Sequence, residues 1–357
     1  MKTCLLNLPF HTRIMRRYNC TYYAPNFLFP PLELMYLGAI IKERKSDDCI
    51  LIDAIAERMN LNRVINCLKS YQPDLLVFMA GIDSFSEDMH MIRTIKFTFP
   101  ELKIVCMGYL PSIFPKETLE NIQAIDCIII NEPEISFSEL YDALKFQKNT
   151  NGIAGISSRQ NSSIIVNNHR PRIKDLNKLP VPARSLIKIN LYNEFLMPQP
   201  FTIIQTARGC PLNCSYCVRT YGQELTTRSV DNILEEIKEV IFRYGIKSIR
   251  FIDDTFVIDE RKTILFCEKI LENNLRFKWS CLNRIDKINA NLLRLMKRAG
   301  CERIYLGIES TSQELLARLK KIYSTDLIED SIRKIKDAGI EAVGFFMVGL
   351  PGQSEEE

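Results

Sequence analysis

The stretch Ala207-Arg-Gly-Cys210-Pro-Leu-Asn-Cys214-Ser-Tyr-Cys217 places three thiols on one short segment, directly after the apolar run Phe201–Gln205. Thiolates are soft ligands that favour zinc or an iron–sulfur cluster. Three ligands from a single loop leave one coordination position for a further group, which is typical of a reactive centre rather than a closed structural site. The sequence therefore predicts a metal-binding loop at the end of a strand.

A structural zinc site is the alternative for this loop. It requires a fourth thiolate from elsewhere in the chain, and the candidates are Cys267, Cys281 and Cys301. Each of these cysteines lies in a helix or strand pattern and has no second C-x2-C beside it. An iron and sulfide assay of anaerobically purified protein separates the two interpretations.

Beyond the loop, strands and helices alternate with a long period. Ser229–Tyr244 places its apolar residues on one helical face, and Gly245 ends that helix. Further strands are predicted near Lys247–Ile252, Phe277–Leu282, Arg303–Ile308 and Ala342–Leu350. Parallel strands joined by right-handed crossovers curl into a barrel or part of one. Counting Phe201–Gln205, residues 198–357 therefore predict five strands of a barrel or partial barrel, with a new helix beginning at Ser354–Glu357.

The first part of the chain has shorter alternating runs, which are typical of a doubly wound α/β fold. The predicted strands are Thr3–Leu8, Cys49–Asp53, Leu75–Met79, Lys103–Met107 and Cys127–Ile130. The predicted helices are Leu32–Lys42, Leu61–Ser70, Glu87–Phe99 and Ile135–Leu144. We assign residues 1–148 to a Rossmann-like domain with a parallel sheet, whose ligand would bind at the carboxyl ends of the strands.

Residues 149–197 are interpreted as a connector between the two domains. Ile153–Ser157 and Ser163–Val166 predict a hairpin. Prolines then accumulate up to Pro200, and proline-spaced segments favour extended, semi-rigid structure.

The spacing of Cys210, Cys214 and Cys217, with the aromatic Tyr216 before the last cysteine, resembles the signature of the radical S-adenosylmethionine (radical SAM) superfamily. The resemblance implies that the three thiolates hold a [4Fe–4S] cluster and that S-adenosylmethionine binds its fourth iron. In that family an electron from a donor such as flavodoxin or ferredoxin cleaves the sulfonium and gives a 5′-deoxyadenosyl radical.

The resemblance also implies that residues 198–357 form a truncated partial (β/α)6 barrel, and the ends of its later strands resemble this family too. The resemblance implies that S-adenosylmethionine is contacted, from the second strand to the fifth, by Asp254, Arg284, Glu309, Ser310, Gly344 and Gly349, in addition to Tyr216. A carboxylate at a strand end can instead cap the next helix, which is our interpretation of Asp259. For Glu309 the ligand contact is favoured, because Ser310 and Thr311 already provide caps.

The first domain and the connector resemble the cobalamin-binding branch of the superfamily, which contains cobalamin-dependent methyltransferases and enzymes of the magnesium-protoporphyrin ester cyclase type. The resemblance implies cobalamin contacts after the second to fifth strands, at Asp53, Ser84, Gly108 and Glu132. The cobalt-ligating Asp-x-His-x-x-Gly motif is absent, and His11 is a candidate replacement for its histidine. The alternative is a flavodoxin-like domain that binds no cofactor.

The resemblance implies a cobalamin-dependent radical SAM enzyme that methylates or cyclises a small-molecule substrate. Two alternatives remain open. The first is a radical SAM enzyme whose amino-terminal domain serves only as a scaffold or a substrate-recognition module. The second is a catalytically incomplete fragment that only binds a cluster.

Composition limits the classes of partner. A net charge of +4 at pH 7 with dispersed Lys and Arg argues against a nucleic-acid partner, and we interpret Arg13, Arg16 and Arg17 as a solvated loop. No apolar run has membrane-spanning length, and the amino terminus does not resemble a signal peptide. The chain has 12 cysteines without such a peptide, which favours the reducing cytoplasm. We therefore expect a cytoplasmic enzyme without a membrane partner.

Overall fold

The apolar runs of the first half of the chain are strands of one sheet in the computed structural model, which describes residues 1–18, 20–23, 26–160, 163–219, 221–321 and 323–354. The chain divides into two units. The first comprises Met1–Lys174 and Lys178–Phe195, and the second comprises Asp175–Asn177 and Leu196–Glu357. Most of the segment 149–197, predicted as a connector, thus lies within the first unit.

The first unit contains strands and helices in alternation. Its strands are β1 (Lys2–Asn7), β2 (Ile14–Arg17), β3 (Cys20–Tyr23), β4 (Asp48–Asp53), β5 (Leu75–Met79), β6 (Lys103–Met107), β7 (Cys127–Ile129), β8 (Ile156–Gln160) and β9 (Ser163–Val166). Its α-helices are α1 (Leu32–Glu43), α2 (Leu61–Tyr71), α3 (Phe85–Thr98), α4 (Tyr109–Ile113), α5 (Pro115–Asn121) and α6 (Pro133–Lys145).

The main sheet has the strand order β4-β1-β5-β6-β7-β8-β9. The strands from β4 to β7 pair in parallel, and β8 and β9 add an antiparallel edge. Every residue of β5 is buried, as expected for a strand covered on both faces. The predicted doubly wound sheet is confirmed. β4 is added on one side of β1, and β5, β6 and β7 are added on the other side, so the order of strands switches at β1. A ligand crevice is expected at the carboxyl ends of β1 and β5.

The antiparallel hairpin of β2 and β3 was not predicted, and it corrects our interpretation of the arginine group. Arg16 lies on β2 and is only 3% exposed, so it is not part of a solvated loop. Its guanidinium forms an ion pair with Asp88 at 2.6 Å, and both side chains are fully enclosed. Arg17 pairs with Glu33 at 2.9 Å.

The second unit repeats a strand and a helix along a parallel sheet of order β10-β13-β14-β15-β16. Its strands are β10 (Phe201–Ile204), β11 (Ala207–Arg208), β12 (Thr226–Thr227), β13 (Ser248–Phe251), β14 (Lys278–Asn283), β15 (Cys301–Glu309) and β16 (Glu341–Phe346). Its α-helices are α7 (Val230–Tyr244), α8 (Glu260–Glu272), α9 (Ala290–Arg298), α10 (Gln313–Arg318) and α11 (Thr325–Asp337).

Local signals fix the helix ends of this unit. Ser229 caps α7 by accepting a hydrogen bond from the Asn232 N–H at 3.2 Å, and Gly245 ends the helix with a φ of 65°. The predicted cap of α8 by Asp259 is confirmed. The absence of the last part of the barrel stays a prediction, and the helix expected from Ser354 onwards falls on residues 355–357, outside the described residues.

The core of the second unit is organised around Trp279, which is fully buried between the sheet and α8. Its ring lies 5.5 Å from Phe251 and 6.1 Å from Phe266, centroid to centroid, and its Nε1 donates to the Ala299 carbonyl at 2.8 Å. These contacts fix the parallel strands and hence the position of their carboxyl ends. Across the described ranges, none of the helices has both the length and the apolar character that crossing a bilayer requires.

Candidate cofactor-binding site

The three-cysteine loop is closed at its base by a short ribbon. β11 pairs with β12 in antiparallel fashion, with Ala207 opposite Thr227 and Arg208 opposite Thr226. Between β11 and β12, the Cys210 N–H donates a hydrogen bond to the Gly222 carbonyl at 3.2 Å. The loop therefore leaves and re-enters the body of the unit at neighbouring points.

A buried carboxylate anchors this base to the adjacent strand. Asp253, just after β13, accepts hydrogen bonds from the N–H groups of Thr206 at 2.6 Å and Ala207 at 3.0 Å, and from the Thr206 hydroxyl. Burial raises the pKa of Asp253 to about 6, although these donors lower it. The sequence pattern indicates Asp254, its neighbour, as a site residue and carries no signal for the anchoring role of Asp253.

The three thiols of the loop differ in exposure. Cys210 is buried, Cys214 is half-buried and Cys217 is exposed. Burial raises the pKa of the Cys210 and Cys217 thiols, while hydrogen bonds from the backbone N–H groups of Leu212 and Arg219, respectively, lower it. N–H groups directed at cysteine sulfurs are a feature of iron–sulfur sites, where they tune the reduction potential.

Charged side chains surround these sulfurs. Arg284 Nη1 lies 3.7 Å from Cys214 Sγ. Asp254 is close enough for its charge to raise the pKa of Cys210 and Cys217. In donor type and surroundings the loop fits an iron–sulfur cluster, although the described residues include no three His, Cys, Asp or Glu side chains already gathered as a metal site.

The candidate fourth ligands of a zinc site lie elsewhere. Cys267, Cys281 and Cys301 are each 0% exposed in the core formed by α8, β14 and β15. Burial raises the pKa of Cys267 to about 12, and it raises the pKa of Cys301 well above its ordinary value. A fully buried, protonated thiol is a poor metal ligand. The structure thus offers no support for a four-cysteine zinc site.

Glu309 is the centre of a second polar group beside the loop. It ends β15 at a bulge, has a φ of 69° and is 8% exposed. Its Oε1 accepts hydrogen bonds from Tyr216 Oη at 2.7 Å and from Lys321 Nζ at 2.9 Å. Lys321 was not predicted from the sequence, because a buried lysine in a turn has no local signature.

A cleft of about 420 Å³ opens at the ends of β15 and β16. Glu309, Ser310 and Gly349 line it, together with Met347 and Gln353. Three of the predicted S-adenosylmethionine contacts thus line one cleft. Tyr216 lies next to this cleft through its hydrogen bond to Glu309, whereas Asp254 and Arg284 lie near the thiols. Gly344 instead lies within β16, where an added Cβ would be 2.7 Å from Ile308 Cδ1.

In the first unit, Asp53 already has several hydrogen-bond partners. It accepts from Asn7 Nδ2 at 2.8 Å and from Tyr192 Oη at 2.9 Å, and burial raises its pKa. Arg16 extends this network by donating to the side-chain oxygen of Asn7 at 3.1 Å and to Ser84 Oγ at 3.2 Å. Asp53 and Ser84 are therefore joined by one buried network at the carboxyl ends of β1, β4 and β5.

The other two predicted cobalamin residues lie after β6 and β7. Gly108 has a φ of 136°, and an added Cβ would be 2.6 Å from the Ala80 carbonyl oxygen, so only glycine fits this close approach. Glu132 accepts a hydrogen bond from the Ile173 N–H at 2.9 Å.

An open cleft of about 650 Å³ lies at the same end of the first sheet. It is lined by Phe10 and His11 after β1, by Met59 before α2, and by His90 and Met91 on α3. The ring centroids of Phe10 and His11 are 4.1 Å apart. The cleft is largely apolar and lies by the crevice of the doubly wound sheet, so in size and position it fits part of a large cofactor.

Comparison with known proteins identifies the family to which the chain belongs. The sequence pattern of the radical SAM superfamily matches residues 204–357. An uncharacterized methyltransferase of Pyrococcus horikoshii is 30% identical over 331 residues, which cover 92% of this chain and 71% of that protein. The anaerobic magnesium-protoporphyrin IX monomethyl ester cyclase of Rubrivivax gelatinosus is 24% identical over 335 residues, which cover 92% of this chain and 60% of the cyclase.

A solved structure shares the fold. The cobalamin-dependent S-adenosylmethionine radical enzyme OxsB, with aqua-cobalamin and S-adenosylmethionine bound, superposes with a TM-score of 0.78 and 20% sequence identity. The match covers 98% of this chain and 50% of OxsB, so the chain spans about half the length of that protein. From the Cys210 loop, the strand-end residues and these similarities, the chain belongs to the radical SAM superfamily of enzymes, in the branch that contains these methyltransferases and cyclases.

Proposed function

We propose that this chain is a cobalamin-dependent radical SAM enzyme that transfers a methyl group to a small-molecule substrate. The observation that carries the proposal is the conjunction of the three-thiol loop with 30% identity to a methyltransferase over 92% of the chain. Methyl transfer is preferred to cyclisation because the cyclase is the more distant of the two relatives, at 24% identity.

The residues that would hold the cluster are Cys210, Cys214 and Cys217. A cluster bound there would supply one electron to the sulfonium of S-adenosylmethionine, which would break the C5′–S bond and give methionine and the 5′-deoxyadenosyl radical. The Leu212 and Arg219 N–H groups and Arg284 stabilise negative charge on the sulfurs. We infer that a flavodoxin or ferredoxin provides the electron.

S-adenosylmethionine would lie between the loop and the cleft at β15 and β16. Asp254 provides a carboxylate for its cationic groups, and the Glu309 carboxylate faces the cleft with Ser310. Gly349 has a φ of 80° and no heavy atom within 4 Å of an added Cβ, so the backbone there leaves space for a flat ring. These residues orient the molecule and exclude water from part of it.

Cobalamin would bind the first unit, at the carboxyl ends of its sheet. The 650 Å³ cleft beside His11 and the fold likeness to OxsB support this assignment. Cobalamin supplies a carrier for the methyl group. In this proposal the buried network of Asp53 and Ser84 shapes the edge on which the cofactor lies.

A second candidate is a radical SAM enzyme whose first unit does not bind cobalamin. It is favoured by the same network, because Asp53 and Ser84 direct their side chains to Asn7, Tyr192 and Arg16. Titration with hydroxocobalamin separates the two candidates. Saturable difference spectra at micromolar cofactor support the first, and no binding at high micromolar cofactor supports the second.

The central experiment is anaerobic reconstitution with iron and sulfide, followed by electron paramagnetic resonance and measurement of 5′-deoxyadenosine. We expect a brown protein with a reducible cluster that cleaves S-adenosylmethionine, and a Cys214→Ala variant that is folded by circular dichroism but does neither. A matched Cys281→Ala variant removes a core thiol and should retain the cluster. A colourless wild-type protein that holds stoichiometric zinc would contradict the proposal.

A further inference from the structure

One oxygen of the Glu309 carboxylate is fully engaged, and the other is not. Oε1 accepts from both Tyr216 Oη at 2.7 Å and Lys321 Nζ at 2.9 Å. In the part of the chain that the structure describes, Oε2 receives no hydrogen bond, and Glu309 lines the 420 Å³ cleft. The carboxylate is therefore held by one oxygen while the other remains available to a ligand in the cleft.

Lys321 is enclosed by the groups that it binds. Its side chain is 3% exposed, and Nζ also donates to the Gly307 carbonyl at 2.5 Å. The ring centroids of Tyr216 and Tyr323 lie 5.8 Å and 5.9 Å from Nζ, close enough for cation–π attraction. A buried ion pair is often no more stabilising than a well-packed apolar pair. Stability alone therefore does not account for a lysine here.

The backbone around Glu309 is also unusual. A φ of 69° lies in the left-handed region, which is rare and unfavourable for a residue other than glycine. The Met347 N–H donates to the Glu309 carbonyl at 2.9 Å and helps to hold this conformation. An added Cβ at Gly307 would lie 2.7 Å from Glu309 Oε1 and 3.1 Å from Lys321 Nζ, so the close ion pair requires glycine there.

The same turn also holds the cysteine loop. Ser215 donates through its N–H to the Leu319 carbonyl at 3.2 Å and through its hydroxyl to the Arg318 carbonyl at 3.0 Å. Tyr216 follows Ser215 directly, between Cys214 and Cys217. The turn from Arg318 to Lys321 thus fixes both the loop and the carboxylate.

We propose that Lys321 is a positioning residue for S-adenosylmethionine: with the Tyr216 hydroxyl it fixes Glu309 so that Oε2 accepts hydrogen bonds from the ribose hydroxyls. This inference rests on the proposed radical SAM function. It assigns to that function two side-chain groups, which act on the nucleoside only through the Glu309 carboxylate. Because Tyr216 lies on the cysteine loop, ordering of the loop and binding of the nucleoside strengthen each other, as linkage requires.

The test uses 5′-methylthioadenosine, which keeps the ribose hydroxyls but lacks the amino acid part of S-adenosylmethionine. Its affinity for the reconstituted chain is measured by calorimetry, beside that of its 2′,3′-dideoxy analogue. We expect Lys321→Met and Tyr216→Phe each to weaken the first nucleoside on the order of tenfold, since a charge-assisted contact is misplaced. Lys321→Arg should restore most of the affinity, and Lys320→Met, at an exposed neighbour, should leave it unchanged.

The dideoxy analogue distinguishes positioning from general structural damage. If Lys321 acts through Glu309 and the hydroxyls, the variants bind this analogue as weakly as the wild type does. Equal loss for both nucleosides, no loss for either variant, or no binding by the wild type would overturn the inference. If Lys321→Met does not fold, Tyr216→Phe alone decides.

Turnover gives an independent readout. In 5′-deoxyadenosine formation, Lys321→Met should raise KM for S-adenosylmethionine more than it lowers kcat. A wild-type protein that binds 5′-methylthioadenosine but never cleaves S-adenosylmethionine would refute the proposed function, while the nucleoside titrations would still decide the role of Lys321.

Discussion

Replacing Asp253 with asparagine tests whether a buried carboxylate anchors the cysteine loop. The side chain is 3% exposed and accepts three hydrogen bonds from Thr206 and Ala207. An asparagine side chain offers one acceptor oxygen in place of two and carries no charge. The variant therefore has one acceptor oxygen instead of two at the start of the loop, and it also loses a titrating group.

The magnitude follows from the pKa of this carboxyl. Burial raises the pKa of Asp253 from 3.8 to about 6, while its donors and the charge of Lys262 lower it. Between these two values the folded protein binds a proton that the unfolded chain has released, so the free energy of unfolding falls as pH rises. About two pKa units correspond to about 3 kcal/mol. In Asp253→Asn this contribution to the pH dependence is absent.

The assay is urea unfolding followed by circular dichroism, at pH values from about 4 to about 7.5. The wild type should lose about 2.5 kcal/mol relative to Asp253→Asn across this range, because pH 4 already lies above the unfolded pKa of 3.8. Asp259→Asn is the matched control, because Asp259 is an exposed helix cap and asparagine caps equally well. Its pH dependence should parallel that of the wild type. If Asp253→Asn also parallels the wild type, the burial argument is wrong.

Two further substitutions probe other parts of the structure. Arg16→Met should destabilise the protein by about 3–5 kcal/mol in urea unfolding, because it leaves Asp88 buried without its cation. Adding Asp88→Leu should recover most of that loss. A cost below about 1 kcal/mol for Arg16→Met would show that the pair is not buried in solution. Gly307→Ala introduces a Cβ 2.7 Å from Glu309 Oε1. It should weaken S-adenosylmethionine binding on the order of tenfold while the iron content of the protein stays nearly unchanged. Unchanged affinity would mean that the carboxylate tolerates displacement.

The strands that sequence analysis located best are those with the least local ambiguity. The bounds predicted for Leu75–Met79 and Lys103–Met107 are those of β5 and β6, because an apolar run of only five residues is too short for a helix and is typical of a strand covered on both faces. The hairpin of β2 and β3 was missed because its arginines and short strands show no apolar alternation. Arg16 becomes buried only through Asp88, far away in sequence.

The site was predicted in outline but not in its supporting contacts. The three cysteines and Glu309 lie in motifs whose spacing is local. The choice between Asp253 and Asp254 depends on which side chain turns towards Thr206, and adjacent positions in a sequence do not reveal that direction. The contact of Lys321 with Glu309 depends on the path of α10 and the turn after it, which no periodicity encodes.

The ribbon of β11 and β12 has a consequence for how a cluster would be assembled. A free chain must give up configurational entropy when distant ligands converge on one metal centre, and that penalty grows with the length of the segment. Here Arg208 and Thr226 are already paired, so most of the penalty is met during folding rather than at metal capture. The loop can thus receive iron and sulfide as a local event, without rearrangement of the parallel sheet beneath it.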